Sequence, residues 1–408
     1  MKRLISFLLH MFFPVRSGFD KSKIKSIVVL QFGHIGDIVL SFPFLKELRK
    51  IFPHAKITFV CGDWGGDFVT INKNIDEIII FDHPWQIRKE QNFFTAARAT
   101  FSFLKVLRHK KFDLAVDLKG NLNSALINLF SGSRFKIGRD FGGYDFPYSY
   151  VSGAYDDYEA LNLLALLEKI KPRLCIDEQN SSRVLEISPG MNPDFLIGVN
   201  NRGKGSKIDF PGYEFPVPEK ELRTITNKLL KSNINRFVVI HPTTLWKPRN
   251  WGINNYKKLI EKMLDNINNL TVIIIGSNAE IEENNKLIAT DPKRVRNFSG
   301  ELSLIETAAL ISRADLFIGS DSGPAHLAAA IGSKLVVLMG PGEYPRFAPY
   351  NPFNMPKIIR HETCEYQTNN NCKQKYGVDK CAKENNVCMD SIKVDEVFTV
   401  VKGLLSCR

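Results

Sequence analysis

At 408 residues the chain is too long for one ordinary domain, and two are expected. A hydrophobic content of 44% and a charged content of 24% exclude a disordered or fibrous chain. The formal charge of +12 points to an acidic partner, and its spread along the chain favours a nucleotide or anionic membrane, with no nucleic acid expected.

The first fourteen residues join the basic start Lys2-Arg3 to an apolar run that ends at Pro14. A membrane-spanning helix needs roughly 20 apolar residues, so this run is too short to cross. No Ala-x-Ala-like cleavage site follows it. Residues 1–25 are therefore expected to form an interfacial anchor, helped by Arg16, Lys21, Lys23 and Lys25. The competing reading is a helix packed on the fold.

From residue 26 the pattern is strand, turn, helix, repeated. Short apolar, β-branched runs at 26–31, 56–61, 77–81 and 114–118 read as buried strands, and 135–138 as an added edge strand. A helix over 38–50 should bend near Pro43, a basic amphipathic helix should cover 93–109, and a helix over 157–170 should close this half. Residues 26–171 are thus expected to be one Rossmann-like, doubly wound domain. Residues 172–232, rich in Asn, Gly, Lys and Pro, read as a linker or irregular insertion. The rhythm restarts at 236–240 and continues through 271–276, 316–318 and 334–339, giving a second Rossmann-like domain over 233–408. Ligand sites in such a pair lie at the strand C-terminal ends, facing a shared cleft.

Seven cysteines occur without a C-x-x-C pair. Cys61 and Cys175 read as isolated core thiols, whereas Cys364, Cys372, Cys381 and Cys388 cluster near the C-terminus at gaps wider than a usual zinc knuckle.

The first turn, Gly33-His34-Ile35-Gly36-Asp37, opens a helix after the first strand. Its glycines are spaced G-x-x-G, which is not a dinucleotide fingerprint. Asp37 there either caps its own helix or takes a proton from a bound hydroxyl. In the second half, Lys247 and Arg249 follow the opening strand, where a diphosphate needs a counter-charge. Glu280, after the next strand, either accepts hydrogen bonds from sugar hydroxyls or favours its helix dipole. The most informative stretch is Asp321-Ser322-Gly323-Pro324-Ala325-His326. A strand, a small-residue turn and a helix start with Pro324 in its first turn form an anion site, with Gly332 as the expected stop. Gly323 lets a phosphate approach, Ser322 adds a hydroxyl, and Asp321 suits sugar hydroxyls better than phosphate. The plainer reading is a capped helix packed on a sheet. There is no Walker A motif, H-E-x-x-H, G-x-S-x-G or D-x-D pair, so a nucleotide sugar would be held by helix dipole and Arg/Lys, with no metal and no cofactor.

These elements resemble those of the lipopolysaccharide heptosyltransferases of glycosyltransferase family 9. The likeness rests on Gly36-Asp37 followed by Pro43, on Arg249-Asn250-Trp251, and on Asp321 to His326. It implies a GT-B fold, and inverting, metal-independent transfer of a heptose from an ADP-activated donor to a lipid-anchored lipopolysaccharide-core saccharide. It further implies a peripheral site on the cytoplasmic face of the bacterial inner membrane. By position, Asp37 resembles the catalytic base, with Gly33 and Gly36 in its acceptor-side turn. Asp321, Ser322, Gly323 and His326 resemble donor-site residues, and Glu280 a donor-sugar or ribose contact. Arg249 stands where the family usually has Lys. The alternatives on this architecture are a nucleotide-sugar epimerase and a non-catalytic nucleotide-sugar-binding protein.

Overall fold

The apolar runs of the sequence become the strands of two sheets, each of six strands and parallel throughout. The computed structural model describes residues 19–82, 93–139, 148, 150–152, 158–168, 170, 210–361, 364–367, 372, 381, 383 and 386–406. The N-terminal sheet contains β1 (Ser26–Leu30), β2 (Lys56–Cys61), β3 (Glu77–Ile80), β4 (Leu114–Asp117), β5 (Phe135–Arg139) and β6 (Tyr150–Ser152), in the order 3-2-1-4-5-6. The C-terminal sheet contains β7 (Phe237–His241), β8 (Thr271–Ile274), β9 (Val295–Asn297), β10 (Leu316–Ser320), β11 (Leu335–Leu338) and β12 (Lys357–Ile359), in the order 12-11-10-7-8-9. The central strands β1, β7 and β10 are buried along nearly their whole length, as continuous apolar runs covered on both faces must be. Each sheet therefore reverses its winding once, between β1 and β4 and between β7 and β10. A crevice opens at such a switch point.

The helices that matter to the site begin at these rims. The predicted bend at Pro43 is a break: α1 (Ile35–Leu40) ends at Ser41, and α2 (Phe42–Ile51) starts with Pro43 in its first turn. The basic helix α3 (Phe93–Lys110) crosses from β3 to β4, and α4 (Leu122–Phe130) joins β4 to β5. In the second half, α10 (Gly323–Ile331) follows β10 and stops at Gly332, as expected. There φ is +81°, and the Gly332 and Ser333 amides close onto Ala329 and Ala328. Between these, α5 is Glu159–Glu168, α6 Glu219–Lys231, α7 Ile253–Asn266, α8 Ile281–Ile288 and α9 Leu304–Arg313; α11 (Val394–Ser406) closes the chain against α7.

Two further expectations change. The strand at 135–139 is interior, because β6 pairs with its far side. Within 172–232, Glu219–Lys231 is a regular amphipathic helix that packs on α9 through Ile225 and Leu229; residues 171–209 lie outside the described residues. Of the anchor expected at 1–25, residues 1–18 lie outside the described residues. The rest docks on the domain: Phe19 meets Phe52 and Phe135 edge-on at 6.5 and 5.2 Å, and Ile24 is buried. Among the described residues, no helix is long and apolar enough to cross a membrane.

A buried ionic cluster ties the two halves together. Glu159, at the start of α5, pairs with Arg139 at the end of β5, and Arg346 of the C-terminal half donates to it at 2.8 Å. The Glu159 amide also donates to the Arg346 carbonyl at 2.8 Å, so both charged partners hold one registration.

Candidate active site

Asp37 is placed by local chemistry first. Its carboxylate accepts the His34 amide at 2.8 Å, closing the first turn of α1, while Gln31 donates to the Asp37 carbonyl and accepts the Gly33 amide. A Cβ at Gly33 would lie 2.3 Å from that carboxylate, so the glycine makes the room that Asp37 occupies. Asp37 is thus the helix cap of the plainer reading, and its side chain remains 16% exposed.

The crevice adds what the local turn cannot. Lys119, in the loop after β4, brings Nζ to 3.5 and 3.4 Å from the two carboxylate oxygens of Asp37. That loop is held by Asp117, a fully buried carboxylate that accepts the Lys119 and Gly120 amides at 2.8 and 3.0 Å and the Tyr148 hydroxyl at 2.6 Å. Burial raises the pKa of Asp117, with these hydrogen bonds opposing. At Asp37 burial also acts upward and is the largest single influence. Lys119, His34 and the backbone bond together outweigh it and hold the carboxyl below its ordinary range. Asp37 is therefore ionised at neutral pH and able to accept a proton. Lys119 is not distinguished by any local motif. Its signal is a polar Asp117-x-Lys119-Gly120 turn after an apolar strand, informative only once β4 is known to lie beside β1.

Replacing Lys119 by Met is expected to move the acid limb of kcat/KM to higher pH. Without the cation, Asp37 stays protonated over a wider range and is available as a base only at higher pH. A pH–rate profile with an unmoved acid limb would leave Lys119 a loop residue only.

On the facing rim, β7 and β10 deliver the second set. Asp321, 3% exposed, directly follows β10 and receives Arg249 Nη2 at 2.9 Å; Arg249 also donates to the Pro341 carbonyl at 3.0 Å and lies over the Trp246 ring. His326 Nε2 stands 3.6 Å from the other Asp321 oxygen, and its Nδ1 is buried without a hydrogen-bond partner. Burial pushes the Asp321 carboxyl up, but Arg249 and His326 outweigh it, so it stays ionised despite repulsion from Asp37. Ser322 starts α10 with its Oγ 3.2 Å from His241 Nδ1. Burial lowers the pKa of His241, with Glu280 opposing.

Glu280 is more committed than the sequence suggested. It accepts the Ser277 amide at 2.7 Å and the Ser277 hydroxyl at 2.6 Å, and Thr243 donates to its other oxygen. It is therefore first a structural cap, with one edge toward His241 at 3.9 Å. Arg249, expected as a counter-charge for phosphate, already serves Asp321. Lys247 is exposed in the same short turn, Lys247–Arg249. Trp251 is fully buried against Tyr256 and belongs to the core.

The two rims meet. A Cβ on Gly36 would fall 2.7 Å from the His326 ring, and one on Gly323 would fall 3.1 Å from Ile35. The starts of α1 and α10 are thus packed face to face, and only glycine at 36 permits that approach to His326. Asp37, Gly33, Gly36, Asp321, Ser322, Gly323 and His326 come together, with Arg249, Lys119 and His241 behind them. Lys247 and Glu280 flank this group. Such a site presents an ionised carboxylate on one domain and a helix N-terminus with cations on the other. Cys364 and Cys388 lie beyond it, and burial raises the pKa of the Cys388 thiol to about 12. Among the described residues no group of three His, Cys, Asp or Glu side chains could hold a metal ion.

Residues 208–376 match the family model described as glycosyltransferase family 9 (heptosyltransferase). The lipopolysaccharide core heptosyltransferase OpsX of Haemophilus influenzae is 22% identical over 340 residues, covering 82% of this chain and 84% of that one. Lipopolysaccharide heptosyltransferase 3 of Escherichia coli is 25% identical over 324 residues, covering 78% and 84%. The solved structure of E. coli ADP-heptose LPS heptosyltransferase II superposes with a TM-score of 0.66 at 20% identity, covering 94% of this chain and 99% of the other. The fold is GT-B.

Proposed function

We propose that the chain is a member of glycosyltransferase family 9, an inverting heptosyltransferase acting on a lipopolysaccharide-core acceptor, a reading supported by the family model matched over residues 208–376 and by the heptosyltransferases it resembles. The observation that carries the reading is the meeting of two switch points: ionised Asp37 from one domain faces the Asp321–His326 helix start of the other. In this reading Asp37 takes the proton of an acceptor hydroxyl, and the freed oxygen attacks the anomeric carbon of the donor in one displacement. The departing nucleoside diphosphate is met by the positive end of α10 and by the cations Arg249 and Lys247. Lys119 keeps Asp37 ionised before the acceptor arrives. The donor in this reading is an ADP-heptose, the sugar nucleotide for which the E. coli heptosyltransferase II is named.

Charge at the leaving group is supplied by protein groups, so no divalent metal is required. Purified protein treated with EDTA is expected to transfer heptose from ADP-heptose to a lipopolysaccharide-core acceptor at an undiminished rate, with the anomeric configuration inverted. Loss of transfer under EDTA with recovery on adding Mg²⁺ or Mn²⁺ would overturn the metal-free account. Interconversion of donor epimers without acceptor would point to an epimerase instead.

A further inference from the structure

Helix α3 contains no Asp or Glu over its 18 residues but carries Arg98, Lys105, Arg108, His109 and Lys110. One face is core: Ala96, Phe103 and Leu107 are buried, and Phe103 stacks on Phe81 at 3.9 Å. The opposite face presents Phe94, Arg98, Phe101 and Lys105, spaced by four, three and four residues and all exposed. Phe94 and Phe101 are 78% and 60% exposed, and the Lys105 ammonium lies 5.3 Å over the Phe101 ring. These two rings leave most of their apolar surface in water on the outside of a helix whose inner face already fills the core. Aromatic rings interleaved with cations, on a helix free of carboxylates, match the chemistry of an anionic lipid surface.

The position of the helix strengthens the match. In a parallel sheet each crossover helix begins at the C-terminal rim of the strands, so Phe94 starts from the same rim as Asp37 and Lys119. The neighbouring helix α4 is tied to α3 by Arg108, which donates to the Phe130 carbonyl at 2.9 Å, and it exposes Leu122 at its start.

We propose that the outer face of α3, centred on Phe94, Arg98, Phe101 and Lys105, is a docking surface for an anionic bilayer. It would seat the acceptor domain on the membrane with its Asp37 rim close to the lipid headgroups. The biological sense of this rests on the reading of a lipid-anchored acceptor, but the surface itself can be tested without any acceptor.

The full chain should be sedimented with vesicles of phosphatidylglycerol and phosphatidylethanolamine, and with vesicles of phosphatidylcholine alone. Wild-type protein is expected to partition onto the anionic vesicles. The Phe94→Ser/Phe101→Ser protein should partition roughly ten- to a hundred-fold less, since each lost aromatic removes apolar area from the interface. Arg98→Gln/Lys105→Gln should weaken binding at low salt and match wild type at high salt. Transfer to a lipid-free acceptor fragment, retained in both variants, checks that they are folded. Three results would overturn the proposal: wild type failing to bind anionic vesicles, both variants binding as wild type does, or the Phe variant turning an oligomer into a monomer with vesicle binding unchanged. Loss of transfer in every protein with vesicle binding intact would strike the enzymatic reading alone.

Discussion

Asp37→Asn is expected to bind the nucleotide-sugar donor with wild-type affinity and to transfer sugar about 10²- to 10⁴-fold more slowly, the range typical of losing a general base. The carboxylate stands on the N-terminal domain, so the donor contacts proposed for α10 are untouched. The amide also retains one oxygen to accept the His34 amide, so the first turn of α1 keeps its cap. Two consequences separate catalysis from structure. Thermal stability should change little, apart from the pH dependence that the lowered pKa confers. That contribution is present above the ordinary carboxyl range and lost as pH falls through the folded value; the Asn protein should lack it. Single-turnover measurements should show the deficit in the chemical step rather than in donor binding. A folded Asp37→Asn protein with near-normal turnover would reduce Asp37 to a helix cap and remove the base from the mechanism.

Arg249→Ala should have the second largest effect, and on two observables. Its guanidinium bridges Asp321 and the Pro341 carbonyl while lying over Trp246, so truncation leaves a buried carboxylate without its main cation. Breaking a buried pair from one side typically costs about 3–5 kcal/mol, and the 20% exposure of the Arg249 side chain argues for the low end. Nucleoside-diphosphate binding should weaken roughly ten- to a hundred-fold, because a charge-assisted contact of about 1.5–3 kcal/mol is lost. Arg249→Lys keeps a charge but cannot serve Asp321 and Pro341 with one planar fork, so it should fall between. Pairing Arg249→Met with Asp321→Asn removes both charges together; stability should largely return while donor binding stays weak. Calorimetric titration with ADP and thermal unfolding read the two effects separately. Wild-type ADP affinity in Arg249→Ala would show that Arg249 only neutralises Asp321.

How far the chain could be read from its own residues depended on the range of the interactions involved. Apolar runs such as 27–30 and 238–240 declare buried parallel strands, because a strand covered on both faces has little room for polar side chains. Pro43 and Gly332 mark helix boundaries through their own backbone limits, and Asp321 to His326 spell a strand, turn and helix start within a few residues. Short strands such as β6, β9 and β12 escaped because three residues carry too little periodicity to stand out. The helix Glu219–Lys231 was hidden in a polar stretch, since only its contact with α9 shows which face is apolar.

The sequence by itself therefore determined the two α/β halves, the turn that carries Asp37 and the helix start that carries Asp321. Only the tertiary structure decided what those groups face. Strand order set β4 beside β1 and so brought Lys119, 82 positions away, to Asp37. The approach of α1 to α10 placed His326 against Gly36, and the crossing of Arg249 to Asp321 gave the expected phosphate counter-charge a buried carboxylate partner as well. The physical reason is range: caps, turns and periodicity are written by neighbours in the chain. The charge state of a carboxylate is written by whatever the fold brings within a few ångströms of it.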